Sequence, residues 1–259
     1  MTSDMNVGFI GTGAITSAIV TGLCTAEGGA GSIWVSPRNA EKALELKKRF
    51  DRVRIGRTNQ EVLDNAEVVV LAFLPRQRQD ILAPLTFRED QKVVNLLAGI
   101  PVSDIAGRVT PAKRVVRVIP LPCCAMHIGP IAVFPQNETV SRIFTPLGTV
   151  ITVEKETQLE PLMVITGLMA PYYSLLETVV AWAETVGVDR RSASGYVSSM
   201  FGALSAMAGE RADGDMGRLV TESMTPGGLN ELAQNVVREK GGFAQIREAL
   251  AAVQRQFGA

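Results

Sequence analysis

The chain has 259 residues, of which 46% are apolar, and its 26 lysines and arginines are matched by 26 aspartates and glutamates. That length suits two domains with ample core-forming material. Balanced charge offers no basic field for nucleic acid and no acidic tail, which excludes polyanions as expected partners.

In chain order, residues 1–4 lack the cationic start and apolar run of a secretion signal. Val7, Phe9 and Ile10 form a short apolar strand that turns through Gly11 and Gly13 into a helical pattern of Ile15, Ile19, Val20 and Leu23. Such a strand, glycine turn and helix cradle a phosphate. Gly11 permits the turn, Gly13 lets an anion reach the backbone, and the helix start offers free N–H groups. The predicted cofactor contacts here are Gly11, Thr12, Gly13, Ala14 and Ile15. Thr16 stands where a glycine or alanine is usual. A second strand, Ile33 to Val35, is followed by Ser36-Pro37-Arg38-Asn39 rather than an acidic residue. The hydroxyl of Ser36, the guanidinium of Arg38 and the amide of Asn39 suit a 2′-phosphate, which predicts NADPH over NADH.

A helix over Ala40 to Phe50, a strand over Val53 to Ile55 and a helix over Asn59 to Asn65 come next. Val68 to Phe73 is a continuous apolar run, as a central parallel strand requires. Phe73, Leu74 and Pro75 at its end are further cofactor candidates, as are Ala98 and Gly99, small enough for a flat ring, after the strand Lys92 to Leu96. Helices at Ile81 to Leu85 and Pro101 to Val109, and strands at Arg114 to Val118, Ile131 to Phe134 and Val150 to Val153, continue the alternation. The pattern is an open, doubly wound parallel α/β sheet. Cys24 and the adjacent Cys123 and Cys124 suit neither a metal knuckle nor a disulfide framework, so no metal site and a reducing, cytoplasmic setting are expected.

From about residue 155 the periodicity is helical throughout, with segments at Leu159 to Ile165, Pro171 to Val186, Arg190 to Ala208, Met216 to Glu222, Gly228 to Lys240 and Phe243 to Phe257. The expected domains are therefore 1–154, binding the dinucleotide, and 155–259, all helical. The most apolar stretch, 162–183, contains Pro171 and Glu177 and reads as buried helices rather than a membrane span. The stripe of Met200, Phe201, Leu204 and Met207 predicts a core shared between two chains, a homodimer. Late in the chain, Thr225-Pro226-Gly227-Gly228-Leu229-Asn230 opens a helix where several N–H groups converge, a nest fit for a carboxylate.

The glycine fingerprint, Ser36 with Arg38, Ala98-Gly99, Val116-Arg117 before Pro120, and the Pro-Gly-Gly helix start occur here in the order in which they occur in pyrroline-5-carboxylate reductases. The chain resembles that family over nearly its whole length. The resemblance implies an N-terminal Rossmann domain, a C-terminal helical dimerisation domain, and NADPH reduction of a cyclic imine to proline or a related amine. It further implies a substrate side formed by Pro120, Thr225, Gly227, Gly228, Leu229 and Asn230. Asn230 stands where the family has a threonine near the imine nitrogen, and an amide there orients the substrate rather than protonating it. Leu74, Leu121 and Leu229 replace a family lysine, asparagine and threonine, which argues for a more apolar substrate. Tyr172, Tyr173 and His127, the sole histidine, are packing residues with secondary claims to the site. A hydroxyacid dehydrogenase would use an interdomain lysine, and none lies between Lys155 and Lys240. The remaining alternative is a non-catalytic NADPH-binding or sensing protein.

Overall fold

The computed structural model describes residues 5–27, 31–211 and 214–256. The readings that fall on residues 1–4 and on Phe257 lie outside that range. The chain divides into two compact units, one up to Met163 and one from Val164 on.

In the first unit, β1 (Val7–Ile10), β2 (Ile33–Val35), β3 (Val53–Ile55), β4 (Val68–Leu71), β5 (Lys92–Asn95), β6 (Arg114–Ile119), β7 (Pro130–Phe134) and β8 (Thr149–Thr152) form one sheet. Its order is β3-β2-β1-β4-β5-β6-β7-β8. The helices α1 (Ala14–Thr25), α2 (Ala40–Arg49), α3 (Asn59–Asp64), α4 (Arg78–Leu82), α5 (Val102–Arg108) and α6 (Glu138–Phe144) connect the strands. Every residue of β1 and β4 is buried, because these central strands are covered on both faces. One apolar cluster, with Phe9, Ile19, Leu46, Val70 and Phe144, fills one side of the sheet. The other side packs Ile10, Leu63, Leu71, Phe87 and Ile105.

The sheet departs from the expected parallel pattern at one pairing: β7 runs antiparallel to β6. The cause is length. Only residues 120–129 separate the two strands, fewer than a parallel crossover needs. That short link contains a 3-10 turn, Pro122–Met126, which sits against α1 so closely that a Cβ at Gly22 would lie 2.5 Å from the Cys124 carbonyl. His127 closes the link in the left-handed region, φ 63. Its Nδ1 lies 2.9 Å from the Pro146 carbonyl and its Nε2 3.0 Å from the Thr25 hydroxyl, so its role is to staple. Burial raises the thiols of Cys24 and Cys124 to about 11 and about 12, which leaves both as inert packing groups. All three cysteines are free.

The helix α7 (Leu159–Ile165) leads, through a 3-10 turn at Thr166–Leu168, to α8 (Met169–Thr185), α9 (Arg190–Gly209), α10 (Met216–Glu222), α11 (Leu229–Glu239) and α12 (Gly242–Arg255). Pro171 does not interrupt α8. It falls in the first turn, where its missing N–H is one of the donors that has no intrahelical partner anyway. Asp189 caps α9 by accepting from the Ser192 N–H at 3.1 Å. Val180, Ala193 and Val197 form a small buried cluster between α8 and α9, with Phe201 packed against it.

The expectation that the apolar stretch is buried fails within the single chain. Val180 is the one buried residue of α8, and Trp182 is 64% exposed. Leu204 and Met207 are exposed as well. Two crossing helices bury only the stripe along their seam, and these helices are apolar over a wider arc. The run Glu156–Thr185 is long and apolar enough, by length and composition, to cross a membrane.

Candidate cofactor site

The site is built outward from the end of β1. Gly11 has φ 103, and a Cβ there would lie 2.2 Å from the Ala72 carbonyl oxygen at the end of β4. Only glycine fits that turn. Gly13 precedes α1, and a Cβ there would meet nothing within 4 Å, so the backbone at the helix start faces open space. Thr16 takes a specific role: its hydroxyl donates to the Gly11 carbonyl at 2.7 Å and closes the turn from the helix side.

Ser36 closes it from the other side. Its hydroxyl oxygen accepts from the Gly11 N–H at 2.8 Å, and the Thr12 hydroxyl donates to its carbonyl at 2.7 Å. Ser36 is buried, so its hydroxyl is a brace for the turn and not the phosphate-facing group its position had suggested. Arg38 is exposed and is left to face the solvent side of the site.

A cleft of about 710 Å³ opens beside this turn, lined by Gly11, Thr12, Gly13, Ile15, Arg38, Phe73 and Leu74 among the expected residues. Ala14, Ser36, Pro75, Ala98 and Gly99 are not in its lining. Pro75 starts the next 3-10 turn, and Ala98 and Gly99 form a separate turn after β5, held by the buried Asn95 amide, which accepts from the Leu97 N–H and donates to the Ile100 carbonyl. Asn39 lines it as well, and the lining residues not anticipated are Ala40, Glu41, Ala72, Gln77 and Leu96. Across the cleft, an Arg38 guanidinium N–H donates to the Gln77 side-chain oxygen at 3.1 Å.

The segment after β4 is itself anchored. Arg78 donates to Asp104 at 2.8 Å and to the Pro75 carbonyl at 3.1 Å. Asp104 also pairs with Arg108. Burial pulls the Asp104 carboxyl upward, but the bonds from Arg108 and Arg78 together outweigh it and hold it below the usual carboxylate range. At the C-terminal end of β6, buried Arg117 pairs with Glu156 at 3.4 Å, and Glu156 also accepts the Val102 N–H at 2.8 Å. Pro120 follows that strand and is half-buried.

In the second unit, the Pro-Gly-Gly corner has Gly227 at φ 71 and Gly228 as the N-cap of α11. The Gly228 N–H donates to the Thr225 carbonyl at 2.8 Å. The Gly227 N–H donates at 2.7 Å to the Glu231 carboxylate, so the chain supplies its own anion to the nest. A glutamate three places past an N-cap is a sequence signal for such a bond. The Asn230 amide donates to the Ser223 carbonyl at 2.8 Å. Leu229 is 86% exposed.

This topology, with a glycine turn after β1, defines a Rossmann-like α/β unit followed by helices. Residues 6–99 match the family model described as "NADP oxidoreductase coenzyme F420-dependent". The Pseudomonas aeruginosa pyrroline-5-carboxylate reductase is 24% identical over 98% of this chain and 96% of that protein. The crystal structure of the Streptococcus pyogenes 1-pyrroline-5-carboxylate reductase superposes with TM-score 0.85 at 18% identity, covering 98% of each chain. A Plasmodium falciparum pyrroline carboxylate reductase with NADP bound gives 0.83 at 18% identity, over 98% of this chain and 97% of that one. The class is that of NADP oxidoreductase folds. Within it, the chain resembles the pyrroline-5-carboxylate reductase family over nearly its full length, and the fold is theirs.

Proposed function

We propose that this protein is an NADPH-dependent reductase of a cyclic imine, acting on a C=N bond. The single observation that carries the reading is Arg38 set across the cleft from the glycine turn that starts α1. In this reading, the free N–H groups at the start of α1 receive the pyrophosphate, and Gly13 lets it approach. Arg38 receives the 2′-phosphate through its remaining N–H donors. Phe73, Leu74 and Leu96 offer apolar walls to the nucleotide. Ala14, Pro75, Ala98 and Gly99 remain proposed contacts for parts of the cofactor beyond this cleft. Bound NADPH supplies the hydride. The protein's contribution is position, since orientation supplies much of the acceleration in such a transfer.

On the substrate side we assign Pro120, Thr225, Gly227, Gly228, Leu229 and Asn230, with Asn230 orienting rather than donating a proton. Many alkyl imines carry a proton near neutral pH, so a dedicated acid is dispensable. Glu231 already accepts the Gly227 N–H, and a carboxylated substrate would have to displace it. Together with Leu74, Leu121 and Leu229, this supports an imine more apolar than 1-pyrroline-5-carboxylate. The proposed assembly is a homodimer in the cytoplasm, with a second copy covering the exposed apolar helices, and the proposed working boundary between the two domains falls near residue 154.

The test is NADPH oxidation with cyclic imines that carry or lack a carboxylate. Turnover is expected, faster on those without it. Tight NADPH binding with no oxidation on any imine would favour the sensing alternative, for which the tethered Asn230 amide speaks. Arg38→Ala should weaken NADPH about tenfold or more and NADH by less than about twofold. Equal losses would refute the cofactor assignment.

A further inference from the structure

The bond between Arg38 and Gln77 ties together two loops that the sheet keeps apart. Arg38 follows β2 and Gln77 ends the 3-10 turn after β4, and these strands flank β1 on either side. The Gly11-Thr12-Gly13 turn emerges between them. A guanidinium tethered on one N–H keeps four others for an anion, in a plane that the tether fixes. The Gln77 side is not loose: its backbone N–H donates to the Leu74 carbonyl at 2.9 Å, and the next residue, Arg78, is anchored to Asp104. The acceptor is also neutral. It orients Arg38 without cancelling its charge, which matters because Glu41 lines the same cleft and a carboxylate there opposes a second anion.

We propose that Gln77 is a positioning residue for cofactor choice: it holds Arg38 where a nucleotide 2′-phosphate arrives, and so adds to the preference for NADPH over NADH. This rests on the NADPH reading above. Gln77 acts through Arg38, so its effect must vanish when Arg38 is absent.

The experiment measures Kd for NADPH and NADH by nucleotide fluorescence in the full chain, with Gln77→Met, which keeps the bulk and removes the acceptor. NADPH should weaken about three- to tenfold, the range of one hydrogen bond, while NADH changes by less than about twofold. In an Arg38→Met background, Gln77→Met should then change neither. Gln77→Glu, whose carboxylate competes for Arg38, should lose more NADPH affinity than Gln77→Met, and added salt should narrow the difference. An NADPH preference untouched by Gln77→Met, equal losses for both nucleotides, or a loss that persists without Arg38 would overturn the role of Gln77 alone. Equal affinity of the unaltered protein for the two nucleotides would overturn the NADPH reading as well.

Discussion

The two units use apolar residues in different ways. Up to Met163, the strands and helices close their cores within the chain: β1 and β4 are wholly buried and both faces of the sheet are covered. From Val164 on, the chain buries a small cluster of Val180, Ala193 and Val197 and leaves Trp182, Leu204 and Met207 in solvent. A sheet wound on both sides satisfies itself, whereas helices that are apolar around a wide arc need a surface from elsewhere. The cleft beside the glycine turn sits on the self-sufficient unit. The unit that carries the Pro-Gly-Gly corner leaves apolar side chains uncovered within the chain.

Three substitutions would break or sharpen this contrast. The largest effect is expected from Phe144→Ala, which empties a fully buried position in the first unit. It should cost roughly 3–5 kcal/mol by chemical denaturation, with a midpoint that does not move with protein concentration. A concentration-dependent loss would mean that the first unit, too, relies on assembly. Next comes Trp182→Glu, on the exposed face of α8. Sedimentation should show the proposed dimer weakened at least about tenfold, with the sheet's own unfolding changed by less than about 1 kcal/mol. Unchanged association would place the interface elsewhere.

The smallest effect concerns Asp104, which anchors Arg78 beside the cleft. Its folded carboxyl lies below its unfolded value, so its contribution is full above the unfolded range near about pH 4 and fades as pH falls through the lower folded value. Asp104→Asn should cost roughly 1 kcal/mol at pH 7 and nothing at the acid end of a denaturation series. A cost that stays constant with pH would exclude the charge as its source.

Much of the first unit was legible beforehand because its cues are local. Continuous apolar runs marked β1 and β4, and Gly11 with Gly13 marked the turn. The reversal at β7 was not, because periodicity reports that a strand exists and not which way it runs. The short link of residues 120–129 was the available clue. A hydroxyl after β2 is ambiguous between ligand and brace until its partner is seen, and the partner of Ser36, Gly11, is 25 residues away. Gln77 was invisible for the same reason, since its link to Arg38 spans two strands that are not neighbours. Glu231 is a second local clue, only four residues from the N–H it accepts.

Under the proposed cofactor reading, the brace at Ser36 restricts how such a protein can drift between cofactors. Position 38 can exchange its side chain without disturbing the turn, because Arg38 is exposed and its side chain bonds Gln77 rather than Gly11. Position 36 cannot follow, since losing that hydroxyl strands the Gly11 N–H and loosens the loop for either nucleotide. A lineage that changed its reducing currency would therefore leave its mark at 38 and 77, with serine, or another short side chain that accepts a hydrogen bond, kept at 36.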